Sequence, residues 1–158
     1  MTTKTDSAQE AAQWQMETIM HMVKRLEHCR ECDGEDCELT DAEILAGLSL
    51  SECEVTQDDR DEYHNEDGAR NAIMEDPLCI LVREDWHAPG ERSDDEEYEL
   101  LLSTGGPSAR IIGSLGGYKE PITAALQYQD WGRSWVTLYT SYERDEALLA
   151  YAQQFCFR

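Results

Sequence analysis

Basic residues are scarce in this chain. Its 158 residues hold 13 Lys+Arg against 34 Asp+Glu, a formal net charge of −21 at pH 7. Nucleic acid and anionic membrane are therefore not expected as direct partners, because both would be repelled. Long apolar runs are also missing. The strongest, Leu78–Val82 and Leu100–Leu102, fall far short of the roughly 18 residues that mark a membrane span. The opening MTTKTDSAQEAAQWQM lacks a basic segment followed by an apolar one, so no secretory signal is read there. A cytoplasmic location with six reduced cysteines is the expectation. The sequence contains no G-x-S-x-G elbow, P-loop, G-x-G-x-x-G or H-E-x-x-H. Ser108 follows a Gly-Gly-Pro turn, but nothing selects its base from His21, His28, His64 and His87. With 34 acids, carboxylate pairs are abundant by chance. A non-enzymatic protein without cofactor is expected.

The charge is unevenly placed. Residues 1–99 hold 29 acidic and 8 basic residues, whereas residues 100–158 hold 5 of each. Within the first part, residues 27–67 hold 16 acids and 2 bases. A net charge of about 2–8 in magnitude suffices for solubility, and concentrated like charge works against a compact state. A basic partner, a cation or disorder should compensate. Duplex DNA carries roughly one charge per 1.7 Å of axis. The net charge of this chain thus matches about 36 Å of duplex, the length of a small domain.

Ser7 with Glu10 reads as a capping box, and Ala12, Met16, Ile19, Met20, Val23 and Leu26 form one apolar stripe on a helix of about 8–28. Residues 29–38, CRECDGEDCE, form an acidic loop. Thr40 and Glu43 make a second capping box, Leu39 and Ile44 a hydrophobic staple, and Gly47 a helix stop. A third helix over 57–75 is opened by Thr56 and Asp59. From Pro77 the period changes to two. Strands are expected over Leu78–Arg83, Tyr98–Ser103, Ala109–Leu115, Ile122–Gln129 and Trp135–Tyr139, with Ile122, Ala124, Leu126 and Tyr128 sharing a face. The run from Trp86 to Glu97 reads as a loop, and Glu143–Phe155 as a closing amphipathic helix. The fold class is α+β: N-terminal acidic helices, then an antiparallel meander of four or five strands with a C-terminal helix.

Four stretches carry a resemblance: EDPLCILVREDWHAPGE, YELLLSTGGPSARIIGSL, AALQYQDWGRSWVTLY and DEALLAYAQQFCF. Over about residues 75–157 the chain resembles a family of uncharacterised small acidic proteins encoded by phages, prophages and other mobile elements. The resemblance implies a mobile-element context and carries no catalytic residues over. Small acidic proteins of such elements often blunt host defences.

Three constellations remain. His28-Cys29-x-x-Cys32-x4-Cys37 offers soft ligands, and Cys-x2-Cys is the usual first half of a zinc site. A metal here would use Cys29, Cys32 and Cys37, with Cys53 or His64 as an irregular fourth. His28 and Cys29, being adjacent, do not easily ligate one ion together. The incomplete count favours free thiols and no metal. The carboxylate clusters around Asp58 and Asn65, and the run Asp94-Asp95-Glu96-Glu97, do not match the calcium loop and read as a solvated face. Trp131 and Trp135, with Trp86 in the long loop, form the aromatic candidate for a contact surface, set against simple core packing.

Residues 1–74 are an acidic helical region and residues 75–158 a neutral scaffold. The scaffold should fold alone unless the N-terminal stripe packs on the sheet and the halves share one core. The protein is expected to bind a basic host nucleic-acid-binding defence complex, such as a CRISPR effector or a restriction enzyme, through Glu31, Asp33, Glu35, Asp36, Asp58, Asp59, Asp61, Glu62, Glu66 and Asp67. The alternative is a structural or adaptor protein that binds a phage or plasmid partner through Trp86, Trp131 and Trp135. A metal-binding regulator built on the cysteines is third. The oligomeric state is left open.

Overall fold

The computed structural model describes residues 4–51, 54–84, 86–91 and 96–157. It is an α+β fold with helices first, an antiparallel five-stranded sheet next, and a helix at the end. Helix α1 spans Lys4–Glu31. Its stripe, extended by Ala8, is buried at Ala12, Met16, Ile19, Val23 and Leu26, with Met20 at the margin. The helix starts before the expected capping box, so Ser7 lies inside it rather than at its cap.

Helix α2 (Asp41–Leu48) has the Thr40/Glu43 capping box, each side chain bonded to the other's backbone N–H. Gly47 does not stop it. Ser49 does, in the left-handed region at φ 56°. Gly47 is needed for another reason: a Cβ there would lie 2.3 Å from Cε2 of Tyr63. The expected third helix is two helices, α3 (Gln57–Tyr63) and α4 (Glu66–Glu75). Thr56 and Asp59 cap the first as read from sequence. The break falls at His64 and Asn65, because the Asn65 side chain accepts from Gly68 N–H and starts a new helix.

The strands are β1 (Cys79–Glu84), β2 (Glu96–Ser103), β3 (Ser108–Leu115), β4 (Ala125–Gln129) and β5 (Val136–Thr137), in sequence order across the sheet. Alternation places one face on the core: Leu100 opposes Ile111 and Ile111 opposes Leu126, whereas Ile80, opposite Leu100 on the edge strand, is exposed. The two last strands are shorter than expected. Ile122 precedes β4 and is exposed, so it does not join Leu126 and Tyr128 on the buried face. β5 keeps only Val136 and Thr137, paired with Tyr128 and Gln127. Glu96 and Glu97 belong to β2 rather than to the loop, and buried Glu96 pairs with Lys119.

Helix α5 (Tyr142–Ala152) buries Ala147, Leu148, Tyr151 and Ala152. It lies beside α1, and both cover the same face of the sheet, with α1 packed on β3 and β4. α2, α3 and α4 pack on or beside the outer flank of α1. A single buried cluster joins the α1 stripe, Ala69 and Ile73 of α4, the sheet and α5. The core therefore crosses the 74/75 boundary. Among the described residues, no helix is long and apolar enough to cross a membrane.

Candidate metal centre and acidic surface

The end of α1 and the residue after it present two pairs of side chains at i, i+4 spacing. Arg25 and Cys29 face the end of α3. Arg25 donates from Nε to the Tyr63 carbonyl at 3.1 Å and from Nη2 to the Glu62 carbonyl at 2.5 Å. Cys29 Sγ donates to the Tyr63 carbonyl at 2.9 Å. These bonds satisfy carbonyls that a helix C-terminus leaves without intrahelical partners. Burial pushes the Cys29 thiol above its ordinary pKa, so it stays protonated and acts as a donor.

His28 and Cys32 form the other pair. The Cys32 N–H donates to the His28 carbonyl at 2.9 Å, which keeps the two side chains on one helical face just past the end of α1. The chain then doubles back through Gly34 (φ 98°) and Asp36 (φ 53°). The Asp33 carboxylate accepts from Glu35 N–H at 3.0 Å within this turn. The reversal sets Cys37 Sγ 3.4 Å from His28 Nε2. Gly34 also lets the loop pass His64, since a Cβ would lie 3.2 Å from the ring.

His64 comes from the C-cap of α3, with its ring centroid 5.3 Å from that of His28. Its Nδ1 is 2.6 Å from the Arg60 carbonyl. A carbonyl only accepts, so Nδ1 is the donor and, in the neutral ring, Nε2 bears the lone pair. That Nε2 is buried with no hydrogen-bond partner among the described residues. The donor atoms of His28, Cys32, Cys37 and His64 all lie within 4.8 Å of one another. Burial first, and His64 second, hold His28 below its ordinary pKa, which favours the neutral imidazole.

The donor set expected from the sequence is thus partly replaced. Cys32 and Cys37 are brought together, and Cys29 is turned away to Tyr63. Cys53 lies outside the described residues. Neighbours on a helix point about 100° apart, so His28 and Cys29 cannot share one centre. The i, i+4 spacing of His28 and Cys32 was the signal that could have chosen between them.

The carboxylates are divided between structural and exposed roles. Asp59 is held in the α3 capping box. Glu66 binds Arg30 and Arg70, and Asp67 also reaches Arg70. Glu62 pairs with Arg25, Asp41 with Arg60, and Glu43 with Lys24. All five basic residues from Lys24 to Arg70 are thereby engaged. Glu31, Asp33, Glu35, Asp36, Asp58 and Asp61 are exposed and carry no ion pair among the described residues.

The aromatic candidates occupy separate settings. Trp86 is fully exposed beyond β1, and Trp131 is 81% exposed in the turn after β4. Trp135 is half-buried under the Arg110 guanidinium, whose Cζ lies 4.2 Å from the ring centroid. Arg110 also donates to Glu99 at 2.6 Å and to Gln127 at 2.9 and 3.0 Å, on the sheet face that no helix covers. No family model, curated protein or solved structure matches the chain.

Proposed function

We propose that this chain is a non-enzymatic anti-defence protein of a mobile genetic element, one that inhibits a host complex by occupying its DNA- or RNA-binding channel with a negative surface. The observation that carries this reading is the imbalance on the helical side. Among the described residues, eight exposed carboxylates from Glu31 to Asp61 carry no ion pair, while each Lys and Arg from Lys24 to Arg70 is already paired with an acid. A surface of one sign steers a basic partner and raises its association rate. The part of the mimic that faces the partner is narrower than the sequence implied. Asp59 caps α3 and Glu66 binds Arg30 and Arg70, so both serve the surface only secondarily.

The test is capture of a nucleic-acid-binding complex from host lysate, followed by competition between this chain and the DNA or RNA of that complex. Binding should weaken from low to high salt, because exposed charges are screened beyond about 8 Å at physiological ionic strength. The quadruple variant Glu35→Gln, Asp36→Asn, Asp58→Asn, Asp61→Asn should fold normally and compete poorly. Affinity that does not change with salt would exclude the mimic.

A second reading rests on the exposure of Trp86 and Trp131. In that reading the chain is an adaptor that grips a phage or plasmid partner through aromatic contacts. Trp131→Ala would then abolish binding, and the quadruple charge variant would not.

A further inference from the structure

We propose that His28, Cys32, Cys37 and His64 form a closed Cys2His2 zinc site that staples the end of α1 to the end of α3. Tetrahedral zinc has Zn–S bonds near 2.3 Å and Zn–N bonds near 2.0–2.1 Å, so its donor atoms stand about 3.3–3.8 Å apart. The four donors here already lie within 4.8 Å of one another, and the Cys37–His28 edge is 3.4 Å. Closing the site needs the other edges to shorten by at most about 1.5 Å.

The site also shows how its ligands are oriented. Zinc-bound histidines usually donate their second N–H to a carbonyl or carboxylate, which fixes the tautomer. His64 has that arrangement, with Nδ1–H on the Arg60 carbonyl at 2.6 Å and Nε2 buried without a partner among the described residues. A buried polar atom left unsatisfied is costly, and a metal at this point removes the cost. The donor chemistry selects the ion. Two thiolates and two imidazoles suit zinc, whereas calcium and magnesium take oxygen ligands. All four positions are filled by protein, so the site is structural and leaves no place for a substrate.

Charge and packing give the reason for such a staple. On binding, each of the two cysteines releases its proton to solvent, and the two thiolates cancel the charge of Zn²⁺. The thiolates are then tolerated beside Glu31, Asp33, Glu35 and Asp36. The staple closes the segment from residue 28 to residue 64, in which the only fully buried apolar side chains of α2 and α3 are Ile44 and Tyr63. A layer with so small a core gains from a metal link. The site is independent of any partner.

The test uses the full-length chain. Zinc is measured in protein purified from zinc-supplemented medium, and apo-protein is then titrated with cobalt(II). The expected results are one zinc per chain and an intense tetrahedral cobalt spectrum with thiolate charge transfer. Cys32→Ser and His64→Ala should lose the metal, while Cys29→Ser should keep it. Cys37→His keeps four donors, so it should bind cobalt with half the thiolate charge transfer. This variant separates ligation from mere folding. Zinc-free wild type with a weak, octahedral cobalt spectrum overturns the proposal. So does loss of metal in Cys29→Ser with retention in Cys37→Ser.

Discussion

The Tyr151 hydroxyl donates to the Asp76 carboxylate at 2.5 Å, which joins α5 to the residue that ends α4. This bond ties the C-terminal helix to the end of the last N-terminal helix across 75 positions. Burial raises the Asp76 pKa above its ordinary value, and the Tyr151 bond only partly opposes the rise. Protonation is therefore favoured more in the folded than in the unfolded chain. Its contribution to stability is complete below the unfolded carboxylate range, near pH 3.9, and is lost as pH rises through the folded value. Asp76→Asn should flatten this loss. Urea midpoints from pH 4 to 7 should shift in favour of the variant as pH rises. Parallel curves for the two proteins would refute the assignment.

Arg25 is almost fully buried and holds the Glu62 and Tyr63 carbonyls. Its ion pair with Glu62 counts for little, since that carboxylate is more than half exposed. The carbonyl bonds matter more, at about 1.5–3 kcal/mol for a hydrogen bond to a charged group. Arg25→Met should destabilise the protein by roughly 2–4 kcal/mol, and Glu62→Gln by less than about 1 kcal/mol. Chemical denaturation of both variants checks the order.

Gly47 tests packing against propensity. Ala is the better helix former by up to about 1 kcal/mol. The added methyl, however, would meet the Tyr63 ring at 2.3 Å, and overpacking costs about 1–3 kcal/mol. Gly47→Ala should lower the urea midpoint. A rise would mean that the Tyr63 ring moves aside at little cost.

The fragment 75–158 should not fold alone. Met16, Ile19 and Val23 of α1 are buried in the same cluster as Leu100, Ile111, Leu126 and Leu148. Removing α1 uncovers the face of β3 and β4 that it packs against. Expressed alone, the fragment should be molten or insoluble, without fixed near-UV dichroism. A cooperative melt would show that the sheet and α5 suffice. In the full chain, Met16→Ala should cost about 2–5 kcal/mol.

Much of the molecule was legible in local spacing. The α1 stripe, the Thr40/Glu43 and Thr56/Asp59 capping boxes, and the alternation of β2 and β3 each depend on residues a few positions apart. Such signals act through helix period, strand period or a single cap, and the sequence contains them whole. Gly47 and Asn65 were misread for the same reason. Gly47 resembles a helix stop, but the Tyr63 ring, packed from another helix, requires the glycine. Asn65 looked like an interior position in a continuous helix until its side chain was seen to cap a new one.

The site was less legible because its parts are distant in sequence. The sequence by itself determined that His28, Cys29, Cys32 and Cys37 are close together in an acidic stretch. Only the tertiary structure decided that Cys29 turns to the Tyr63 carbonyl and that His28 takes its place. It also decided that His64, beyond α2 and α3, supplies the fourth donor. The same holds for the carboxylates. Composition determined the excess of negative charge and helical spacing the Glu66–Arg70 pair, but the packing of α1 against α3 and α4 decided which acids bind Arg25 and Arg30. The physical reason is common to both. Periodicity and capping are energies of neighbouring residues, whereas ligation and ion pairing between helices depend on the angles at which whole helices meet, which no local pattern contains.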